Sequence, residues 1–87
     1  MASDHFVYIL KCKDGTLYTG YTNDLYQRLA KHESGKGAKY TRGRGPFELV
    51  FHERFNTKTA AMQREFQIKQ WSRSKKEALI ALKNEGV

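Results

Sequence analysis

What this 87-residue chain has little of narrows its chemistry first. A single cysteine, Cys12, excludes an internal disulfide, and the three dispersed histidines, His5, His32 and His52, leave no Cys/His spacing for a structural zinc. A reducing cytoplasm is the expected setting. The longest apolar runs, residues 6–10 and 78–82, fall far short of the ~18–20 residues that span a bilayer. Residues 1–5 lack the charged start and apolar stretch of a secretory signal, so neither export nor a membrane partner is expected. Acidic residues are scarce as well. Nine Asp and Glu stand against sixteen Lys and Arg, a net charge of +7.

What is present describes one small folded unit. A domain of this size buries roughly 60–65% of the surface its unfolded chain exposes, enough for one core and too little for a deep substrate cavity. The working surface should therefore be a shallow face. With 39% hydrophobic and 13% aromatic residues, the chain is too apolar for a disordered basic tail. Its positive charge sits in two blocks. Residues 31–44 carry Lys31, Lys36, Lys39, Arg42 and Arg44 against Glu33, a surplus of +4, and residues 58–76 carry Lys58, Arg64, Lys69, Arg73, Lys75 and Lys76 against Glu65, a surplus of +5. A patterned positive field concentrates a polyanion, and nucleic acid is the obvious one; the plainer alternative is that these lysines only solvate helix faces.

Along the chain, residues 6–12 are β-branched and aromatic with apolar groups on both sides, which predicts a strand. Lys13-Asp14-Gly15 is a turn signal, and residues 16–21 resume the extended pattern, giving a hairpin. A two-residue loop would send Tyr8 and Tyr18 to opposite faces. A three-residue loop with Gly15 in the left-handed conformation would place them on one face, with Gly20 opposite Tyr8. Asn23 suits an N-cap for a helix from Asp24 to about Ser34, with Leu25 and Leu29 as its apolar stripe and Arg28 and His32 as neighbours beside it. Residues 35–46 read as a basic loop, and residues 47–55 as a third strand. Thr57 or Asn56 should cap a helix reaching about Trp71, with Ala61, Met62, Phe66 and Trp71 toward the core. Ser74-Lys75-Lys76-Glu77 fits a capping box before a short last helix. The expected class is α+β, in the order β-β-α-β-α-α, with a small, mainly antiparallel three-stranded sheet flanked by helices.

Tyr8, then Tyr18-Thr19-Gly20 on the hairpin, Arg28 on the first helix and Glu65 on a later one form an order that resembles the GIY-YIG nuclease superfamily over nearly the whole chain. The Asn23-x-Leu25 start, and Arg64-Glu65 followed by Lys69, Trp71, Arg73 and Lys76, look most like its small stand-alone bacterial members. The first motif reads Phe6-Val7-Tyr8 without its usual glycine, and the second reads Tyr-Thr-Gly. Both keep their tyrosines. The resemblance implies an endonuclease hydrolysing phosphodiester bonds, structure-selective or non-specific, in repair or recombination. It assigns Tyr8, Tyr18, Arg28, His32 and Glu65 to catalysis, with Glu65 as ligand to one Mg²⁺ or Mn²⁺.

Each of these residues also has an ordinary explanation. Strands favour tyrosine, Arg28 is a common surface cation, His32 suits a helix C-terminus, and Glu65 precedes Lys69 at the stabilising i,i+4 spacing. Only the site accounts for all five together. Phosphodiester hydrolysis needs an activated water, a cation on the charge developing at phosphorus, and help for the leaving alkoxide. One carboxylate makes a weak metal site, so poor metal binding without substrate is expected. Arg28 would fork onto phosphate oxygens. A tyrosine near pKa ~10 needs a proton acceptor to act as base. His32 could be that acceptor for Tyr8 if it reaches the hydroxyl, with Arg28 and the metal favouring phenolate. Tyr18 would orient water or phosphate.

Gly20, Lys36, Lys39, Tyr40, Arg42, Arg44, Lys69, Arg73 and Lys76 are the candidate nucleic-acid contacts, with Tyr40 and Trp71 available for stacking. DNA is the favoured partner and RNA is possible, with the chain acting as a monomer or weak dimer. The competing class is a non-catalytic nucleic-acid-binding module of the same fold. Whether Glu65 approaches the tyrosines separates the two.

Overall fold

The computed structural model describes residues 4–35, 43 and 45–85. Lys36, Lys39, Tyr40, Arg42 and Arg44 lie outside the described residues. Three strands, β1 (His5–Lys11), β2 (Leu17–Thr22) and β3 (Glu48–Phe55), and three helices, α1 (Leu25–Glu33), α2 (Lys58–Lys69) and α3 (Arg73–Glu85), follow the expected order. Both strand pairings are antiparallel and the sheet order is β2-β1-β3. The most apolar strand takes the centre. Val7, Tyr8, Ile9 and Leu10 are all fully buried, which is possible only if both faces of β1 are covered.

The hairpin turn settles the geometry of the two tyrosines. Cys12 N–H donates to the Thr16 carbonyl at 2.8 Å, Gly15 N–H donates to the Cys12 carbonyl at 2.9 Å, and Gly15 has φ +85°. This is the three-residue loop with its left-handed glycine, and the Asp14 carboxylate secures it by accepting from Thr16 N–H and Oγ1. Tyr18 therefore pairs with Leu10, and Gly20 with Tyr8. On the far side of β1, Ile9 pairs with Phe51 but Leu10 with Leu49, so Val50 is an extra residue in β3.

Val7 and Ile9 form the core with Phe51 of β3 and Ala61 and Ile68 of α2, while α3 contributes Leu79 and Ile80 at its margin. Tyr8 and Leu10, by alternation, belong to the opposite face, where His32 of α1 meets Tyr8. Burying each large apolar side chain contributes about 1.5–3 kcal/mol, so β1 is the chief anchor of the fold.

Three local expectations are corrected. Asp24, not Asn23, caps α1: its carboxylate accepts from Gln27 N–H, and its own N–H is held by Thr22 Oγ1. Thr57 caps α2 as expected, but that helix stops at Lys69, and Ser72 rather than Ser74 starts α3, its hydroxyl accepting from Lys75 N–H and its carbonyl from Lys76 N–H. Glu77 is thereby released from any capping box and pairs with Arg73 at 2.9 Å. The third correction is the buried face of α2. Met62 and Phe66 are 40% and 66% exposed, whereas Ala61 and Ile68 are fully buried. Trp71 does pack against the core, and its ring is covered by Lys75, 4.3 Å from the ring centroid, and Arg64, 5.2 Å.

Candidate active site

Gly20 makes the site possible by having no side chain. A Cβ at that position would lie 2.6 Å from the Tyr8 hydroxyl oxygen, 2.7 Å from Tyr8 Cζ and 2.9 Å from Tyr18 Cε2. The Tyr8 ring thus crosses β2 over Gly20, and Tyr18 flanks it with ring centroids 6.3 Å apart. The three-residue loop produces this contact, since a one-residue change of register would send Tyr18 and Gly20 to the other face.

Helix α1 supplies the partners of the Tyr8 hydroxyl. His32 Nε2 lies 2.8 Å from it and Arg28 Nε donates to it at 3.4 Å, both from residues four apart on one helical face. His32 is only 1% exposed and is caged edge-on by Tyr8, Tyr18 and Phe47, with ring centroids at 5.9, 5.4 and 5.8 Å. Burial first, and the Arg28 charge second, push its pKa below the usual histidine value, while Glu33 acts in the other direction. His32 is therefore a neutral imidazole at pH 7 and not the helix-end cation that its position in the last turn of α1 suggests.

Tyr8 departs from expectation in the opposite sense. Arg28, through its hydrogen bond and its charge, favours the phenolate, but burial outweighs it, and Tyr18 and Glu65 add to burial, so the hydroxyl is pushed up to about 12. The chain's own residues hold Tyr8 as a phenol. Its proton is available for His32 Nε2, while the pKa of Arg28 is itself raised, chiefly by the hydrogen bond to Tyr8.

Glu65 stands on α2. Its charge is felt at Tyr8, its side chain is 15% exposed, and Lys69 Nζ lies 3.3 Å from its carboxylate. The buried stripe of α2 explains this position. Ala61, Glu65 and Ile68 are spaced four and three residues apart, so burying Ala61 and Ile68 turns Glu65 toward the sheet.

Of the expected nucleic-acid contacts, Gly20 supplies space, Lys69 is tied to Glu65, Arg73 is tied to Glu77, and Lys76 is half-buried on α3. Sequence reasoning missed Phe47 and Glu33. The Phe47 ring closes the cage around His32, and its N–H donates to the Glu33 carboxylate at 3.2 Å, fastening the start of β3 to the end of α1. The only signal in the sequence was an aromatic following the single proline.

This arrangement defines a class before it defines a family. A half-exposed cationic donor and a buried, neutral histidine converge on one buried tyrosine hydroxyl at which a carboxylate charge is felt, and such a set can grip and activate a phosphodiester. Residues 4–78 match the family model described as the GIY-YIG catalytic domain. That span includes all five residues, and the chain belongs to this nuclease-type family. It is 63% identical over 81 residues to a UPF0213 protein of Natronomonas pharaonis, covering 93% of this chain and 95% of that protein. A UPF0213 protein of Bacillus pumilus is 60% identical over 77 residues, 88% of this chain and 79% of that protein.

Two solution structures are similar to this fold. One, of a UPF0213 protein from Bacillus halodurans, has 60% sequence identity and a TM-score of 0.62, covering 92% of this chain and 85% of that one. The other, of a protein from E. faecalis, has 37% identity and a TM-score of 0.64, covering 93% and 86%. Among the described residues, no helix is long and apolar enough to cross a membrane.

Proposed function

We propose that this protein is a divalent-metal-dependent endonuclease that hydrolyses phosphodiester bonds with little sequence preference, DNA being the favoured substrate. The observation that carries this is the Tyr8 hydroxyl held between Arg28 and His32, with the Glu65 charge in reach. Among the described residues, no three His, Cys, Asp or Glu side chains gather into a metal-binding group. A lone, largely shielded carboxylate suits one hydrated Mg²⁺ or Mn²⁺ whose remaining ligands are water and substrate, and Lys69 would have to yield to it. When bound there, such an ion supplies charge neutralisation at the phosphate and a more acidic water.

Arg28, with Nε committed to Tyr8, would meet the non-bridging oxygens through its terminal nitrogens and stabilise the charge that grows on them. Tyr8 would pass its proton to His32 Nε2 and take one from the attacking water, which requires its pKa to fall from about 12 through the positive charge of the cation, the substrate's own negative charge acting the other way. Tyr18 would orient water or phosphate. The test is a nicking and cleavage assay on duplex, branched, flapped and single-stranded DNA and on RNA, with Mg²⁺ or Mn²⁺ against chelator. Cleavage lost in Glu65→Gln and Arg28→Ala supports the reading. Tight binding with no cleavage of any substrate would make the chain a binding module.

A further inference from the structure

Four cations of α2, α3 and β3 are ion-paired: Lys69 with Glu65, Arg73 with Glu77, Arg64 with Glu53 and Arg54 with Asp4. Lys31 and Lys58 are not. Among the described residues, neither has a carboxylate within salt-bridge distance, and both line one groove of about 310 Å³ together with Arg28. The groove crosses the end of β2, an edge strand, at Tyr21 and Thr22, between α1 and the first residue of α2. Its walls are set. The Tyr21 hydroxyl is held by His5 Nδ1 at 2.7 Å, and the one carboxylate present, Asp24, is engaged as the cap of α1 on Gln27 N–H.

Three cations against one engaged carboxylate make this an anion site, and Arg28 belongs both to it and to the Tyr8 cluster. We propose that the groove holds a backbone phosphate of the substrate strand flanking the phosphate to be cut, so that the strand runs from Arg28 past Lys31 to Lys58. This rests on the nuclease reading above and adds the path of the substrate. In the sequence Lys31 and Lys58 stand only as the first residues of the two basic blocks, and the fold brings them together. Contacts of this kind fix register without reading bases.

The experiment is binding of a labelled oligonucleotide, single-stranded and duplex, in chelator between 50 and 200 mM salt. It compares wild type, Lys31→Gln/Lys58→Gln, and a control of equal charge loss, Lys13→Gln/Lys83→Gln, taken from exposed sites elsewhere. Losing the phosphate held there should flatten the slope of log affinity against log salt by about 0.7–0.9, so that over this range wild type weakens about 3-fold more than the groove variant. The control should keep the wild-type slope, and melting curves establish that all three are folded. A groove variant with the control's slope, a wild type that does not bind, or displacement of the oligonucleotide by millimolar inorganic phosphate in wild type but not in the groove variant would each overturn the proposal, the last by making this a free-phosphate site. Cleavage plays no part in the readout. A wild type that binds with the expected slopes yet never cuts removes the nuclease reading and keeps the groove, whereas a cutting wild type with an indifferent groove variant removes the groove alone.

Discussion

Gly20→Ala is the smallest change that should disable the site, and its effect can be worked from distances. The new Cβ would stand 2.7 Å from Tyr8 Cζ, whereas carbons rest at ~3.5–4.0 Å, so the ring must retreat by about 1 Å. Gly20 is not among the glycines with positive φ, so alanine meets no backbone strain and the whole effect is this collision. Tyr8 is fully buried and cannot swing into solvent. Overpacking of this kind costs about 1–3 kcal/mol, and losing the 2.8 Å bond to His32 adds about 1 kcal/mol. The sum, about 2–4 kcal/mol, lowers the melting temperature of a domain this size by roughly 10–30 °C. A ~1 Å misplacement of a reacting group also costs about 10²-fold in rate. Urea unfolding, cleavage rates below the melting temperature and the His32 titration by NMR measure the three consequences. Adding Tyr8→Phe removes the oxygen at 2.6 Å but leaves the carbon at 2.7 Å, so the double mutant should recover only part of the loss. A Gly20→Ala protein within about 0.5 kcal/mol of wild type, with His32 titrating unchanged, would refute the geometry on which the site rests.

Other outcomes follow from the same contacts. Glu65→Gln breaks only an i,i+4 pair to a half-exposed lysine, so stability should change by less than about 0.5 kcal/mol while metal-dependent cleavage is lost; nucleic-acid binding in chelator should tighten as a negative charge is lost. Arg28→Ala should cut the cleavage rate by about 10²–10³-fold, and Arg28→Lys should not restore it, because an ammonium cannot hold Tyr8 and phosphate oxygens with one planar fork. Two pH limits on stability are expected. His32 is depressed below 6.5, so the unfolded chain binds a proton that the native one refuses; stability is full above pH 6.5 and declines as pH falls below it, which urea midpoints between pH 5 and 8 would register. Tyr8 is raised from 10.0 to about 12, so its contribution is full below pH 10 and lost as pH rises toward 12, and tyrosinate absorbance of wild type against Tyr8→Phe should show that late titration.

The sequence made the order of elements legible because each strand and helix carries its own local signal: a β-branched run, an Asp-Gly turn, a threonine cap. It left the hairpin geometry open between two loop lengths, since a turn signal alone does not say whether Gly15 is the last loop residue; the Gly15 φ of +85° does. Caps were misplaced by one residue at Asn23 and two at Ser74 because neighbouring Asn, Asp and Ser residues compete for the same orphan N–H groups, and Thr22 and the early end of α2 decide between them. The five candidate residues were singled out by their order along the chain. The state of their protons was not, because burial of Tyr8 and His32 depends on Phe47, Tyr18 and the sheet beneath, none of which a spacing reports.

The buried face of α2 is where the sequence misled most and where the site explains the result. Its apolar residues are spread around the helix, offering one stripe with Ala61 and Ile68 and another with Met62 and Phe66, and the second has more area to bury. Hydrophobic burial alone, at roughly 25 cal/mol per Å², favours the bulkier stripe. The observed choice leaves Phe66 66% exposed and brings in Glu65, which lies between Ala61 and Ile68 on the same face, whereas turning Met62 and Phe66 inward would rotate Glu65 away from Tyr8 by about one residue's 100°. The small Ala61, fully buried against Val7 and Ile9 of β1, lets α2 lie close to the sheet on that face. Truncating the two stripes should therefore separate sharply. Ile68→Ala should destabilise by about 2–5 kcal/mol and Phe66→Ala by less than about 1 kcal/mol, with cleavage by the latter unchanged. Equal losses in urea unfolding would mean that α2 presents the other face, and with it that Glu65 does not belong to the site.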